Sequence, residues 1–278
     1  MKKNSAFLRK FSKRKASVIS AFLLLILIFT AIFGPSLCKR YHPNHQNQAE
    51  RFAPISRDHW LGTDYAGRDI FTRLVYGAKF SISVSFFGVL AGGIIGVFLG
   101  LVSGYFGGVS DNLISRLIEL LMAVPGLLLA IIIIAVMGKS DFNTVISVAV
   151  SVIASFTRII RSSVISLRES DYVKSAYILG ASDWRIIFTH ILPNCISFII
   201  VTFTLNLGTA LLTVSSLSFL GIGVQPPNPE WGSMISLAKE YMLSYPLGIL
   251  APGLAITIFV ISSSLVGDGL RDALDPRI

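Results

Sequence analysis

The sequence predicts an all-α polytopic membrane protein with six transmembrane helices. Two observations carry this. Of 278 residues, 53% are hydrophobic and only 14% are charged, where soluble domains carry about 25% charge. The hydrophobic residues also gather into runs of about twenty, the length that crosses a hydrocarbon core of about 30 Å as a helix. A net charge of +9 fits either a nucleic-acid binder or the cytoplasmic excess of Lys and Arg that orients membrane chains. In a chain this apolar the second reading holds, and no nucleic-acid partner is expected.

The N-terminus, MKKNSAFLRKFSKRK, is basic and leads into the first run, residues 16–33. That run is long for the apolar core of a signal peptide, and Leu37 stands where cleavage before a lipid-anchored Cys38 needs a small residue. The expectation is an uncleaved first helix, making residues 1–37 a first unit. Residues 38–79 form a loop on the far side. Within it Gly62, Asp64, Gly67 and Asp69 read as turns, and His42, His45 and His59 are a weak metal signal. From Ile70 the apolar spacing turns helical, with Arg68, Arg73 and Lys79 opposite. This stretch either lies along the membrane surface or is a tight loop joining two spans.

Residues 80–278 form the main membrane unit. The second span, 80–106, places Gly88, Gly92, Gly96, Gly100 and Gly104 four apart. Such a stripe lets another helix backbone approach closely. The third, 117–137, opens beside Arg116 and Glu119, spaced for a surface ion pair, and Pro125 kinks it. The fourth, 145–163, ends where Arg158 and Arg161 reach the interface, because arginine at bilayer depth is costly. The fifth, 195–219, carries Thr202, Asn206, Thr209, Thr213 and Ser216 on one face. That face either lines a hydrophilic passage or bonds back to its own helix. The loop after it, GIGVQPPNPEWG, is expected to be rigid, with Trp231 at the membrane interface. It serves as an anchor, or else meets an external partner or gates the outer mouth. The sixth span is 247–266, with Pro252 as a kink.

With the N-terminus inside, fifteen Lys and Arg fall on the cytoplasmic side and nine outside. Seven of those nine sit in the long loop, which weighs least. Cys38 and Cys195 then lie at opposite faces and cannot pair. The chain has no phosphate-binding loop, no HExxH and no GxSxG, so catalytic residues, a resident cofactor and a metal are all unexpected. The span interiors contain essentially no ionisable groups, which argues against ion coupling and for an external energy source.

The one long cytoplasmic connection, about 166–194, holds YILGASDWRIIFTHILPN. Tyr172, Ala176 and Leu179 share a face of a first short helix, and Gly180 ends it with positive φ. Ser182 caps a second helix, with Asp183 in its first turn. Trp184, Ile187, Phe188 and Ile191 form the apolar face of that helix, and Pro193 stops it. The product is a rigid helix–glycine–helix knob.

This stretch resembles the EAA loop of ABC importer permeases. Ala176, Gly180, Leu192 and Pro193 match its pattern, while Lys174, Ser175 and His190 depart from it. HWLGTDYAGRDIFTRLVYGAK, LSFLGIGVQPPNPEWGSMI and LVGDGLRDALDPR narrow the resemblance to the C-type permease subunit of dipeptide/oligopeptide/nickel importers. The resemblance implies a MetI-like ABC permease core from spans two to six, with the first helix added outside. It implies a bacterial inner-membrane location with both termini cytoplasmic. The expected partners are membrane lipid, a homologous second permease, two ATP-binding subunits that hold ATP and Mg, and an extracytoplasmic substrate-binding protein. Tyr172, Ala176, Gly180, Ala181, Asp183, Trp184, Ile187, Phe188, Leu192 and Pro193 become the ATPase-coupling loop. The expected cargo is a di- or oligopeptide, with nickel as the alternative. A stand-alone channel or secondary transporter is the distant rival.

Overall fold

The computed structural model describes residues 10–12, 14–38, 41–225 and 227–274. Most of the basic N-terminal run, Lys39, Arg40, Pro226 and the last four residues, Arg277 among them, lie outside the described residues. The chain runs through α1 (Lys15–Leu37), α2 (Ile70–Phe106), α3 (Gly108–Ala123), α4 (Gly126–Met137), α5 (Asp141–Arg168), α6 (Asp171–Ile178), α7 (Asp183–Ile186), α8 (Leu192–Phe219), α9 (Trp231–Ala238) and α10 (Leu247–Leu274). A π-helical turn, Ile187–Ile191, joins α7 to α8. Among the described residues, five continuous helices are long and apolar enough to cross a membrane: α1, α2, α5, the run Asp183–Phe219, and α10.

The sixth crossing is not a kinked helix. α3 and α4 meet at 92°. Val124 and Pro125 both hold extended ψ angles, 129° and 134°. Proline pushes the residue before it out of the helical region and removes its own N–H. Two extended residues in succession turn the chain through a right angle where one proline was expected only to bend it.

The boundary expected near residue 80 is also absent. α2 is one helix of 37 residues, about 55 Å long at 1.5 Å per residue. Its first turns stand clear of a core of about 30 Å. Asp69 starts it, accepting a 2.7 Å bond from the Thr72 N–H. The amphipathic stretch from Ile70 is therefore neither a separate surface helix nor a loop. Arg73, expected to face water, is only 4% exposed and donates to Pro43 O at 2.9 Å and Asn44 Oδ1 at 3.2 Å. These bonds draw residues 41–69 down as a cap on the helix end. His59 completes the cap, with Nδ1 3.0 Å from Asp69 Oδ1 and its ring stacked on Tyr41 at 5.0 Å.

Trp231 is 1% exposed rather than at the membrane surface. Its indole donates to Leu74 O at 3.0 Å. Glu230, wholly buried beside it, accepts from Ser81 Oγ at 3.0 Å, Ser215 Oγ at 3.2 Å and the Ser233 N–H at 2.9 Å. Burial pushes the Glu230 carboxyl up, and hydrogen bonds from the Gly232 and Ser233 backbone and the Ser81 and Ser218 side chains oppose the shift. The loop thus plugs the gap between α2 and α8. A filled pocket with a satisfied indole outweighs the interfacial preference of a lone tryptophan.

Contacts along the helices align their ends. Arg14 Nη1 lies 2.6 Å from Asp272 Oδ2, and Ser17 donates to Leu265 O, so the start of α1 meets the end of α10. Gly208 abuts Ser263 and Gly267 abuts Leu205, so α8 and α10 run antiparallel. The end of α10, the start of α8 and the segment 169–191 therefore share one end of the bundle. The cap of residues 41–69 sits at the other, held to the start of α10 by Tyr245 Oη donating to Leu61 O at 2.9 Å.

Candidate functional site

At the first of these ends, residues 169–191 fold into a helical knob. α6 closes with paired bonds from Gly180 N–H to Tyr177 O and from Ala181 N–H to Ala176 O. This is the glycine-terminated helix end in which one residue must be left-handed, and Gly180 has φ +81°. Ser182 occupies the cap position of the next helix but makes no side-chain cap bond. The Asp183 carboxylate instead accepts from Tyr105 Oη at 2.8 Å, which ties the knob to the end of α2.

The expected apolar faces divide in two. On α6 the buried residue is Val173, with Ala176 half-buried, while Tyr172 and Leu179 are exposed. After the bend, Ile186, Ile187 and Ile191 pack against Ile160 and Val164 of α5. Trp184 and Phe188 are exposed and stack on one another at 6.0 Å. Leu179, at the tip, is 86% exposed. Ala181 and Leu192 pack at the edge of the same core. A cleft of about 550 Å³ opens beside the knob, lined by Tyr105, Arg168, Glu169, Lys174, Tyr177 and Asp183. Lys174 reaches Glu169 at 3.2 Å and holds that carboxyl below its ordinary range.

Pro193 does not stop the second helix. It lies in the first turn of α8, and the helix runs from Asp183 to Phe219 as one span. The widened turn at Ile187–Ile191 takes up the missing proline N–H, with Leu192 N–H bonding back to Ile187 O. The second helix of the knob, from Asp183, and the fifth span are thereby one continuous helix.

α8 presents Thr202, Asn206, Thr209, Thr213 and Ser216 unevenly. Thr202 is buried, Asn206, Thr213 and Ser216 are half-buried, and Thr209 is exposed. Asn206 Nδ2 donates to its own helix at Thr202 O, 2.8 Å, and across to Ser155 Oγ of α5 at 3.3 Å. Ser155 belongs to a stripe at spacings of four, four and three: Ser147, Ser151, Ser155, Arg158. Ser151 donates to Gly126 O at the α3–α4 bend. Arg158 is exposed, with Nη1 3.6 Å from Met122 Sδ. Arg158 thus sets a positive charge at the open end of this polar stripe.

The opposite face of α5 meets the glycine stripe. A Cβ at Gly96 would lie 2.6 Å from Phe156 Cβ and 2.7 Å from Ile153 O. Gly88, Gly92, Gly100 and Gly104 face Val148, Ala149, Ile160 and Val164 in the same way.

Residues 96–278 match the family model described as "Binding-protein-dependent transport system inner membrane component". The chain belongs to that family. Residues 5–54 match a second model, the N-terminal TM domain of oligopeptide transport permease C. The chain is 44% identical to the dipeptide transport system permease protein DppC of Alkalihalophilus pseudofirmus, over 97% of this chain and 88% of that one. It is 41% identical to the glutathione transport system permease protein GsiD of Pectobacterium atrosepticum, over 98% and 90%. Among solved structures, an inward-facing MetNI methionine ABC transporter aligns with TM-score 0.58 and 16% identity, covering 73% of this chain and 97% of that one. An amino acid ABC transporter gives 0.54 and 17%, covering 75% and 95%. These two likenesses establish an ABC permease fold. With five or six apolar spans, this member of the family is a multi-pass inner-membrane protein.

Several residues of this permease escaped the sequence reading. The serine stripe of α5 was legible in its spacing. The Arg161–Asp111 pair was not. α5 continues to Arg168, and Arg161, expected to mark where the helix leaves the membrane, grips Asp111 with bonds of 2.5 and 2.6 Å. Ser103 Oγ adds a third bond to the same carboxylate at 2.5 Å. A two-pronged charge-assisted pair pins α3 to α5 across fifty positions of sequence. Arg116 and Glu119 do pair, at 3.1 Å, and both are exposed.

Proposed function

We propose that this chain is the permease subunit of a binding-protein-dependent ABC importer for di- or oligopeptides. It pairs with a homologous second permease around a shared pathway. Two separate ATP-binding subunits hold ATP and Mg and receive the knob, and an extracytoplasmic binding protein delivers cargo to the capped end. The knob end, and both termini with it, faces the cytoplasm. The chain itself performs no catalysis.

The observation that carries this reading is the continuous helix Asp183–Phe219, headed by the Gly180 bend. A force applied to exposed Trp184 and Phe188 moves the fifth span directly, because both stand on that one helix. Peptide cargo is supported by relatives whose names specify dipeptide and glutathione. The nickel reading gains nothing from the three histidines. His59 is held by Asp69, and the described residues contain no group of three His, Cys, Asp or Glu placed to hold a metal.

The test is uptake by vesicles holding the whole complex, with and without ATP, offered labelled dipeptide or nickel. ATP-dependent dipeptide uptake is expected. ATP-dependent nickel uptake alone would overturn the cargo, and uptake without ATP would overturn the importer. Gly180→Trp is expected to leave the chain in the membrane and abolish ATP-driven uptake, since a bulky side chain at φ +81° strains the bend.

A further inference from the structure

We infer that Arg158 is a specificity-determining residue of the transport pathway, which meets the C-terminal carboxylate of the passing peptide. The inference rests on the importer reading above. It starts from where the polar groups converge. Arg158 stands one turn beyond Ser155 on the same face of α5, and Ser155 is bonded to Asn206 of α8. Ser151, one turn before, reaches the carbonyl of Gly126 at the α3–α4 bend. Met122, the last turn of α3, touches the guanidinium itself. Two long helices and the broken pair thus surround one polar patch, and Arg158 supplies its charge.

That charge has no ion-pair partner among the described residues. Arg161, three positions on, is already taken by Asp111. Glu119 lies one turn before Met122 on α3, but its carboxylate is bonded by Arg116. An arginine is always charged and offers a planar fork that fits a carboxylate. One left unpaired on a half-open polar face is matched by a mobile anion rather than a fixed one. A free peptide of any sequence brings one C-terminal carboxylate. A contact to that group is indifferent to side chains, as a carrier of varied peptides requires. It also disfavours a bare divalent cation by like charge.

The experiment uses the complete complex in vesicles with its binding protein saturated by each cargo. The probes are dialanine and dialanine amide. Uptake and ATPase stimulation are read for the wild type, Arg158→Lys, Arg158→Gln and Asn206→Leu, each normalised to assembled complex. Arg158→Gln is expected to slow dialanine uptake about tenfold, the worth of one charge-assisted contact. ATPase stimulation by loaded binding protein should stay within about twofold of wild type. Arg158→Lys should recover most of the uptake. The preference for acid over amide should fall to near one in Arg158→Gln.

An unchanged acid-to-amide ratio in Arg158→Gln overturns the inference. So does a fall in uptake and ATPase stimulation together, which would make Arg158 a structural or coupling residue. Asn206→Leu separates the two levels. If it impairs uptake while Arg158→Gln does not, the pathway stands and only the carboxylate contact fails. If neither variant changes uptake, the pathway face itself is wrong.

Discussion

The two faces of α5 are built from the same kind of pattern and behave in opposite ways. Toward α2 it meets five glycines spaced by four, and Cβ atoms there would collide with backbone and side chains alike. Away from α2 it shows serines spaced by four, and these end in a half-open surface with an exposed arginine. Small residues in a membrane helix permit close approach, but they do not say whether anything approaches. On the glycine side a neighbour of complementary shape fills the groove. On the serine side the hydroxyls bond back to their own helix, as Ser147 does to Asn143 O and Ser151 to Ser147 O, and room remains. The lesson is that spacing identifies a face, and the neighbour decides its use.

The sharpest way to break the contrast is to place bulk in the closed seam. Gly96→Leu should prevent stable assembly, since overpacking of a rigid contact costs about 1–3 kcal/mol and more where backbone must move. The measurement is the thermal stability and membrane level of the purified complex. If Gly96→Leu assembles and transports normally, the seam is not closed in the working protein. On the open face the same bulk should do the reverse. Asn206→Leu should lower uptake severalfold while leaving membrane levels near normal, as immunoblot and uptake together would show. A loss of protein instead would assign Asn206 to packing.

A smaller effect is expected where α3 is pinned beside the seam. Asp111→Asn removes a bidentate partner from a half-exposed Arg161, and the melting transition of the complex should fall by an amount corresponding to about 1 kcal/mol. The smallest belongs to the surface of α3. Glu119→Gln breaks an ion pair whose members are 81% and 64% exposed, and stability should change by less than about 0.5 kcal/mol. A large loss there would mean that Glu119 faces the pathway or a partner subunit.

The apolar runs, the glycine stripe, the polar face of the fifth span and the Gly180 bend were all legible from residue spacing. Each depends on a short period or on a single residue's backbone preference, and such local terms act within a few residues of where they are read. The broken third span was half legible. Pro125 announced a disturbance, but its angle depended on the extended backbone of Val124 as well. Pro193 misled because a helix can absorb a proline through one widened turn, and only the packing of Ile187 and Ile191 makes that turn worth keeping.

The sequence by itself determined that this chain crosses a membrane several times, carries no catalytic motif and projects a bent knob between its fourth and fifth spans. Hydropathy and turn chemistry are local, so they survive without any neighbour. Tertiary structure alone decided that Trp231 and Glu230 plug the gap between α2 and α8, that Arg161 reaches Asp111, and that Arg158 is left over. Those outcomes join residues far apart in the chain. A buried polar group or charge must find its partner wherever the packed helices bring one, and no spacing within a single helix records where that is.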